Sequence, residues 1–312
     1  MSQTTELYIA PMEGVMDYLM RELLTNLNPI TLCVTEFVRV VKKVEPKHAF
    51  YRLCPELHNN GYTTNGTPVR VQLLGQHPEA LANNALRALE LGSHGIDLNF
   101  GCPAKTVNKS KGGAVLLQEP ETMYQIISHV KKAAGNETVS AKIRLGFEDE
   151  SNYLDIIDAV KQSGADLLTV HARTKKQGYK PPAYWHYVSQ AVERLDIPVI
   201  ANGEIWNKAD AEQCQLESNT NKLMLGRGIL AMPNLADVIK NNASELPWPE
   251  MASLFKHYAV LEQQGDKSYY FSSRLKQWLR YLKIQYPEAQ TLFEEIKRLT
   301  TKGEILPIID SI

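Results

Sequence analysis

The sequence predicts a (β/α)8 TIM barrel followed by a small helical bundle. Three observations carry that prediction. Eight short β-rich runs, at 7–10, 32–35, 69–73, 95–98, 139–143, 167–170, 199–201 and 223–225, punctuate the chain before Lys240. Helix-patterned stretches at 17–27, 78–91, 121–134, 153–163 and 208–216 fall between them, and such alternation argues for a parallel sheet. Each run also ends in polar or glycine residues, which a closed barrel gathers at its C-terminal mouth.

Taken in order, the first run ends in Pro11-Met12-Glu13-Gly14 and the second in Glu36-Phe37-Val38-Arg39. The third offers Gln72 and Gly75, the fourth Asn99 and Cys102, the fifth Lys142 and Arg144. The sixth ends in His171 and Arg173, the seventh in Asn202-Gly203-Glu204, the eighth in Gly226-Arg227-Gly228. Most runs read as continuously apolar, as expected of strands covered on both faces. Residues 44–64 fit least and read as an irregular excursion before the third run. After Lys240 a polar stretch, Asn241-Asn242-Ala243-Ser244, precedes Pro247-Trp248-Pro249 and marks a linker. Helical patterns near 250–264, 269–285 and 288–299 follow. The expected boundary puts the barrel in 1–243 and the bundle in 244–312.

Composition sets the class. With 44% hydrophobic and 22% charged residues, the chain has the profile of a globular protein able to bury a large core. The four cysteines, Cys33, Cys54, Cys102 and Cys214, are scattered, without a Cys-x-x-Cys pair or zinc spacing. A reducing, cytoplasmic setting and no metal are therefore expected. No apolar run approaches the roughly 18 residues of a membrane span. The polar N-terminus lacks a signal-peptide pattern. A net charge of −1 does not announce a nucleic-acid partner, so any such sign must be local.

The segment Asn99-Phe100-Gly101-Cys102-Pro103 carries the sharpest chemistry. A strand stops abruptly, Gly101 permits the turn, and a thiol is presented at the strand tip. Lys142 sits inside an apolar run, and lysine is almost never buried without a partner. At a barrel mouth it suits the electron-rich edge of a flavin, whose reduced anion it would stabilise. Gln72 offers the donor and acceptor that an imide edge requires, and His171 is a further candidate contact. Gly203 and the Gly226-Arg227 turn follow the seventh and eighth runs, where barrels often hold a phosphate. No Gly-x-Gly-x-x-Gly follows the first run and no Walker loop is present, so a mononucleotide such as FMN fits better than a Rossmann-bound dinucleotide.

Residues 274–283 form the second informative region. Leu275, Leu279 and Leu282 fall on one helical face, and Lys276, Arg280 and Lys283 form a separate basic stripe, with Trp278 beside it. Tyr269, Tyr270 and Tyr281 are close in sequence. Cations interleaved with rings suit RNA phosphates and unstacked bases. Lys297 and Arg298 extend the pattern weakly, and Arg173, Lys175, Lys176, Tyr179 and Lys180 add charge after the sixth run. Lys105, Lys109 and Lys111 do so after Cys102.

With these residues assembled, the chain resembles the tRNA-dihydrouridine synthases over essentially its full length. The segments that carry the resemblance are Ala10-Pro11-Met12-Glu13-Gly14, Asn99-Phe100-Gly101-Cys102-Pro103 with Lys105 and Val107, and Lys142-Ile143-Arg144-Leu145-Gly146. His171-Ala172-Arg173-Thr174, Ile200-Ala201-Asn202-Gly203-Glu204-Ile205 and Leu225-Gly226-Arg227-Gly228 complete the set. Glu36-Phe37-Val38-Arg39-Val40 and Arg274-Leu275-Lys276-Gln277-Trp278-Leu279 most resemble the bacterial C-type branch, which acts on uridine 16 of the tRNA D-loop. The resemblance implies an FMN-bound barrel, a helical tRNA-binding domain and NADPH as reductant. It implies flavin contacts at Pro11, Met12, Glu13, Gln72, Lys142, His171, Asn202, Gly203, Glu204, Gly226 and Arg227. It implies tRNA contacts at Arg39, Asn99, Tyr179, Lys276, Trp278, Arg280, Lys283 and Arg298. A monomer is expected.

Uridine's C5=C6 bond is conjugated to its C4 carbonyl. Hydride addition at C6 leaves an enolate that needs a proton at C5, and Cys102 suits that task because an ordinary thiol is protonated at neutral pH. Two rival readings remain: a barrel flavoprotein reducing a small enone or pyrimidine, and a non-catalytic tRNA-binding scaffold. The basic helical region speaks against the first, and Cys102 with the flavin-type strand ends speaks against the second.

Overall fold

The structure, a computed structural model, describes residues 4–262 and 270–312, and its eight parallel strands close into a barrel. They are β1 (Glu6–Ile9), β2 (Leu32–Arg39), β3 (Val69–Leu74), β4 (Ile96–Asn99), β5 (Val139–Arg144), β6 (Leu167–His171), β7 (Val199–Asn202) and β8 (Lys222–Leu225). Closure is made by β1 on β8, in register from Glu6 opposite Lys222 to Ile9 opposite Leu225. All eight runs read from the sequence are strands, and β2 is longer than its apolar stretch. It continues through Glu36 to Arg39 across a register shift between Val34 and Phe37. The two charged residues hid this extension, and the irregularity re-aims the strand end at the mouth.

The strands are less uniformly apolar than expected. In β4 and β5, Ile96, Leu98, Val139, Ala141 and Ile143 belong to the core under the helices. Their alternates Asp97, Asn99, Ser140, Lys142 and Arg144 lie on the opposite side, inside the barrel, as the period of 2 requires. Tyr8, Ala10, Leu32, Val34, Ile200 and Met224 form a separate apolar cluster on the β7-β8-β1-β2 side. The barrel interior is therefore apolar on one half and polar on the other, and the polar half is β3 to β6.

The surrounding helices are α1 (Tyr18–Leu27), α2 (Lys47–Leu53), α3 (Pro78–Glu90), α4 (Lys105–Lys109), α5 (Pro120–Ala134), α6 (Tyr153–Gln162), α7 (His186–Arg194), α8 (Lys208–Ser218), α9 (Arg227–Ala231) and α10 (Leu235–Asn241). Caps set their starts: the Asp17 side chain accepts from Met20 N at α1, and Asn207 accepts from Asp210 N at α8. The 44–64 excursion is not irregular throughout. It holds α2 and a 3-10 turn, Pro55–Asn59, that bury Phe50 and Leu57. Arg21 of α1 fastens it, paired with Glu56 at 2.8 Å and donating to Leu53 O at 2.9 Å.

Among the described residues four further helices form the bundle: α11 (Trp248–Leu261), α12 (Tyr270–Leu282), α13 (Glu288–Ile296) and α14 (Lys302–Ile309). Pro247 and Pro249 start α11 rather than lying in a linker. The sequence pattern missed α14, whose apolar run contains Pro307 but which opens on a Thr301/Glu304 capping box. Tyr269 lies outside the described residues. The hydrophobic core runs without a break from barrel to bundle. Trp278 is its pivot: it packs against Phe255 and Tyr258, and its Nε1 donates to Leu230 O of α9 at 2.9 Å.

Candidate active site

The strand ends surround a cavity of about 510 Å³ at the barrel mouth. That volume is in the range of a bound small molecule or cofactor. Pro11, Met12, Glu13, Gln72, Lys142, His171, Asn202, Gly203, Glu204, Gly226 and Arg227 all line it, as do Asn99, Cys102 and Tyr179. The wall also contains Glu36, Phe37, Arg144, Trp206, Met224 and Tyr281, which sequence reading did not assign as contacts. Arg144 and Glu36 were visible as polar strand ends. Trp206 carried no signal, because it does not lie on a strand, and Tyr281 was read only beside the basic stripe, because α12 reaches the mouth only through packing.

Local hydrogen bonds build the thiol's position. Asn99 Oδ1 accepts from the backbone N–H of Gly101 and of Cys102, each at 2.9 Å. Its amide donates to Gln72 Oε1 at 2.7 Å, and Gln72 Nε2 donates to Asp97 Oδ2 at 2.7 Å. Ser140 Oγ completes the row by donating to Asp97 Oδ1 at 2.6 Å. Asn99 and Gln72 thus spend most of their bonding on each other and on the Cys102 turn, and each retains one amide N–H for a ligand. Arg144 braces the same turn. Its Nε donates to Gly101 O at 2.8 Å and its Nη1 to Gly178 O at 3.0 Å, so it ties the Cys102 turn to the loop after β6. Gly113 is required behind the thiol: its φ is +67°, and a Cβ there would stand 3.0 Å from Cys102 Cβ.

Cys102 is half-buried. Burial raises its thiol above the usual range, the nearby Glu13 carboxylate adds to that, and the Ala104 N–H and Arg144 oppose it. The sulfur is accordingly a protonated acid at neutral pH rather than a thiolate nucleophile. Lys142 is the opposite case. Burial and the neighbouring Arg144 push its ammonium down to about 7, and Asp97 only partly offsets them. Its Nζ donates to Asn202 Oδ1 at 2.9 Å. His171 is held neutral, well below its ordinary range, by burial and by the charges of Arg144, Lys142, Arg173 and Arg227.

Lys142, Arg144 and Arg227 line the mouth together with the carboxylates Glu13, Glu36 and Glu204. Glu204 accepts from Arg227 and from the buried Arg173, and also takes a bond from Trp206 Nε1 at 2.9 Å. Arg227 is stacked between rings, 5.1 Å from the Tyr179 centroid and 5.0 Å from that of Trp206. Arg173 is fully buried, and among the described residues its Nη1 has no hydrogen-bond partner. Gly203 keeps the wall open, since a Cβ there would lie 2.9 Å from His171 Cδ2 at a φ of +118°. An arginine held between two rings and a glycine-opened wall at the ends of β7 and β8 fit an anionic, ring-bearing ligand such as a flavin phosphate ester.

The expected tRNA contacts scatter. Asn99 and Tyr179 belong to the cavity, with Tyr179 53% exposed at its rim. Arg280, Lys283 and Arg298 are exposed on the bundle, whereas Arg39 lies in a different cleft. Two assignments change. Trp278 is 2% exposed and offers no ring face to a base, because the indole spans α12 and α9. Lys276 is half-buried and donates to Leu299 O, so it ties α12 to the end of α13 instead of projecting freely. Among the described residues no group of three His, Cys, Asp or Glu side chains is arranged to hold a metal ion.

A parallel barrel whose strand ends converge on a thiol and a cavity lined by titratable side chains is an enzyme's architecture. The chain belongs to the dihydrouridine synthase family, whose model matches residues 8–311. It is 53% identical to a tRNA-dihydrouridine(16) synthase of Shewanella oneidensis, covering 97% of this chain and 96% of that one. It is 50% identical to the protein of the same name from Escherichia coli K12, with 97% of each covered. Among solved structures, TcOYE with pHBA superposes with a TM-score of 0.54 at 12% identity, covering 82% of this chain and 94% of that one. That likeness is one of fold. None of the helices of the described residues is long and apolar enough to cross a membrane.

Proposed function

We propose that the protein reduces uridine 16 of the tRNA D-loop to 5,6-dihydrouridine, with FMN in the mouth cavity and NADPH as reductant. The carrying observation is Cys102, a protonated thiol held at the cavity rim by Asn99 and Arg144. When bound, the reduced flavin supplies the hydride that adds to C6 of the uracil. Cys102 gives its proton to C5, where the enolate carries negative charge. Lys142 lines the cavity wall, and a bound anion would offset the burial and the Arg144 charge that lower its affinity for a proton. Gly203, Arg227 and the Gly226 turn suit a phosphate at the end of β7 and β8. Tyr179, at the rim, and the free N–H of Asn99 are placed to meet a base that has left its stack. The bundle, residues 244–312, supplies part of the RNA-binding face through Arg280, Lys283 and Arg298.

Denatured protein should release FMN, and NADPH should reduce the bound flavin faster than NADH. Mass mapping of tRNA from a strain lacking the gene should show uridine in place of dihydrouridine at position 16. Loss of dihydrouridine elsewhere, with position 16 intact, would overturn the assignment of the target.

A further inference from the structure

We infer that a second cleft, beside the Cys102 turn, binds a phosphodiester of the RNA strand that carries the target uridine. This inference rests on the reading above and adds Lys109 and Lys111, with their link to the Cys102 turn, to the tRNA contact expected at Arg39. The cleft has a volume of about 320 Å³, and its lining includes Arg39, Lys109, Ser110 and Lys111. Three of these residues are cations, all exposed, and the lining contains no carboxylate. Among the described residues fourteen ion pairs occur, and none engages Arg39, Lys109 or Lys111. The lining contains no aromatic ring, so it offers nothing to stack on a base or a nicotinamide. A cleft of unpaired cations without rings recognises a phosphate and ignores the base, which is how proteins position a nucleic-acid backbone.

Its location gives it a use. Arg39 ends β2, and its Nη2 donates to Ser110 Oγ at 2.6 Å, bridging the strand end to the turn after α4. That turn is joined to the thiol's backbone: Cys102 O accepts from Asn108 Nδ2 at 3.0 Å and from Ala114 N at 3.1 Å. A phosphate drawn in by Lys109 and Lys111 would hold the segment that carries the proton donor. RNA docking and placement of Cys102 are thereby linked through one short piece of chain.

The test uses flavin-loaded protein and an unmodified tRNA transcript with uridine at position 16. The triple variant Arg39→Gln, Lys109→Gln, Lys111→Gln should bind that transcript roughly tenfold more weakly, with a salt slope shallower by about one unit. Its flavin content and its rate of flavin reduction by NADPH should equal those of the parent. The double variant Lys109→Gln, Lys111→Gln keeps the Arg39–Ser110 bond and should show most of the same loss. A control, Arg87→Gln, Lys132→Gln, Lys161→Gln, removes equal charge from the ends of α3, α5 and α6, at the face opposite the mouth. It should bind like the parent. If both cleft variants bind RNA like the parent at every salt concentration, the inference fails. If they instead lose NADPH-driven reduction with RNA binding intact, the cleft serves the dinucleotide, which also overturns it. Should the parent itself not bind tRNA, the proposed function fails first.

Discussion

Lys142 illustrates how much a single side chain can reveal. An ammonium in an apolar strand run is an anomaly in the sequence, and the structure turns it into a quantity, a proton affinity lowered to about 7. The unfolded lysine keeps its proton to a pH of about 10.4. Between those values the unfolded state binds one more proton than the folded state, so stability rises with pH across that window. Below about 7 the full cost of the buried charge is present. Lys142→Met should therefore raise the melting temperature of the flavin-free protein at pH 6 while weakening flavin binding, both readable by thermal denaturation and flavin titration. Binding of an anionic ligand at pH 8 should draw a proton onto Lys142, and calorimetry in two buffers of different ionisation enthalpy would detect that uptake. A melting temperature lowered by the substitution would contradict the assigned strain. Cys102 behaves in the opposite sense: its raised proton affinity keeps the acid form available through neutral pH, so activity should decline only on the alkaline side.

At the scale of elements, α12 (Tyr270–Leu282) combines two functions that its sequence pattern did not separate. Leu275, Leu279 and Leu282 are buried as the helical spacing required. Trp278 is buried with them, since an indole beside a basic stripe has the same spacing whether it faces a base or a neighbouring helix. Trp278→Ala should destabilise the protein by about 3–5 kcal/mol in denaturant unfolding, the usual cost of emptying a large aromatic site. A variant of unchanged stability with weaker tRNA binding would restore the indole to the RNA surface. Arg280 and Lys283 remain exposed, so Arg280→Gln with Lys283→Gln should weaken tRNA binding and flatten its salt dependence while preserving flavin content. Unchanged binding across a salt titration would remove this face of the bundle from the interface. Strands were the most legible elements, because the barrel needs an apolar outward face from each. Short α2, at Lys47–Leu53, and Pro-containing α14 were hidden, since neither shows a sustained periodic face.

Across the whole molecule, the bundle contributes to the wall of the mouth cavity as well as packing on the barrel. Arg274 of α12 pairs with Asp17 at 2.7 Å and donates to Gly14 O, while Tyr270 donates to the same Asp17 carboxylate at 2.7 Å. Glu36 accepts from Gly14 N, so the turn following Met12 and Glu13 is held between β2 and the bundle. Tyr281 then enters the cavity wall from above. No sequence pattern exposed this, because contacts across some 260 residues of chain leave no local signal. The ring of strand-end residues was legible for the converse reason: barrel geometry alone sends every strand end to one mouth. The central claim is that this mouth delivers a proton from Cys102 to a tRNA uridine. It is tested most directly by giving reduced, flavin-loaded protein an unmodified transcript and mapping dihydrouridine by mass, for the parent and for Cys102→Ala. The account predicts dihydrouridine at position 16 from the parent, and formation slower by about 10²–10⁴-fold in Cys102→Ala with flavin content unchanged. Equal rates from the two proteins, or no dihydrouridine from the parent, would contradict it.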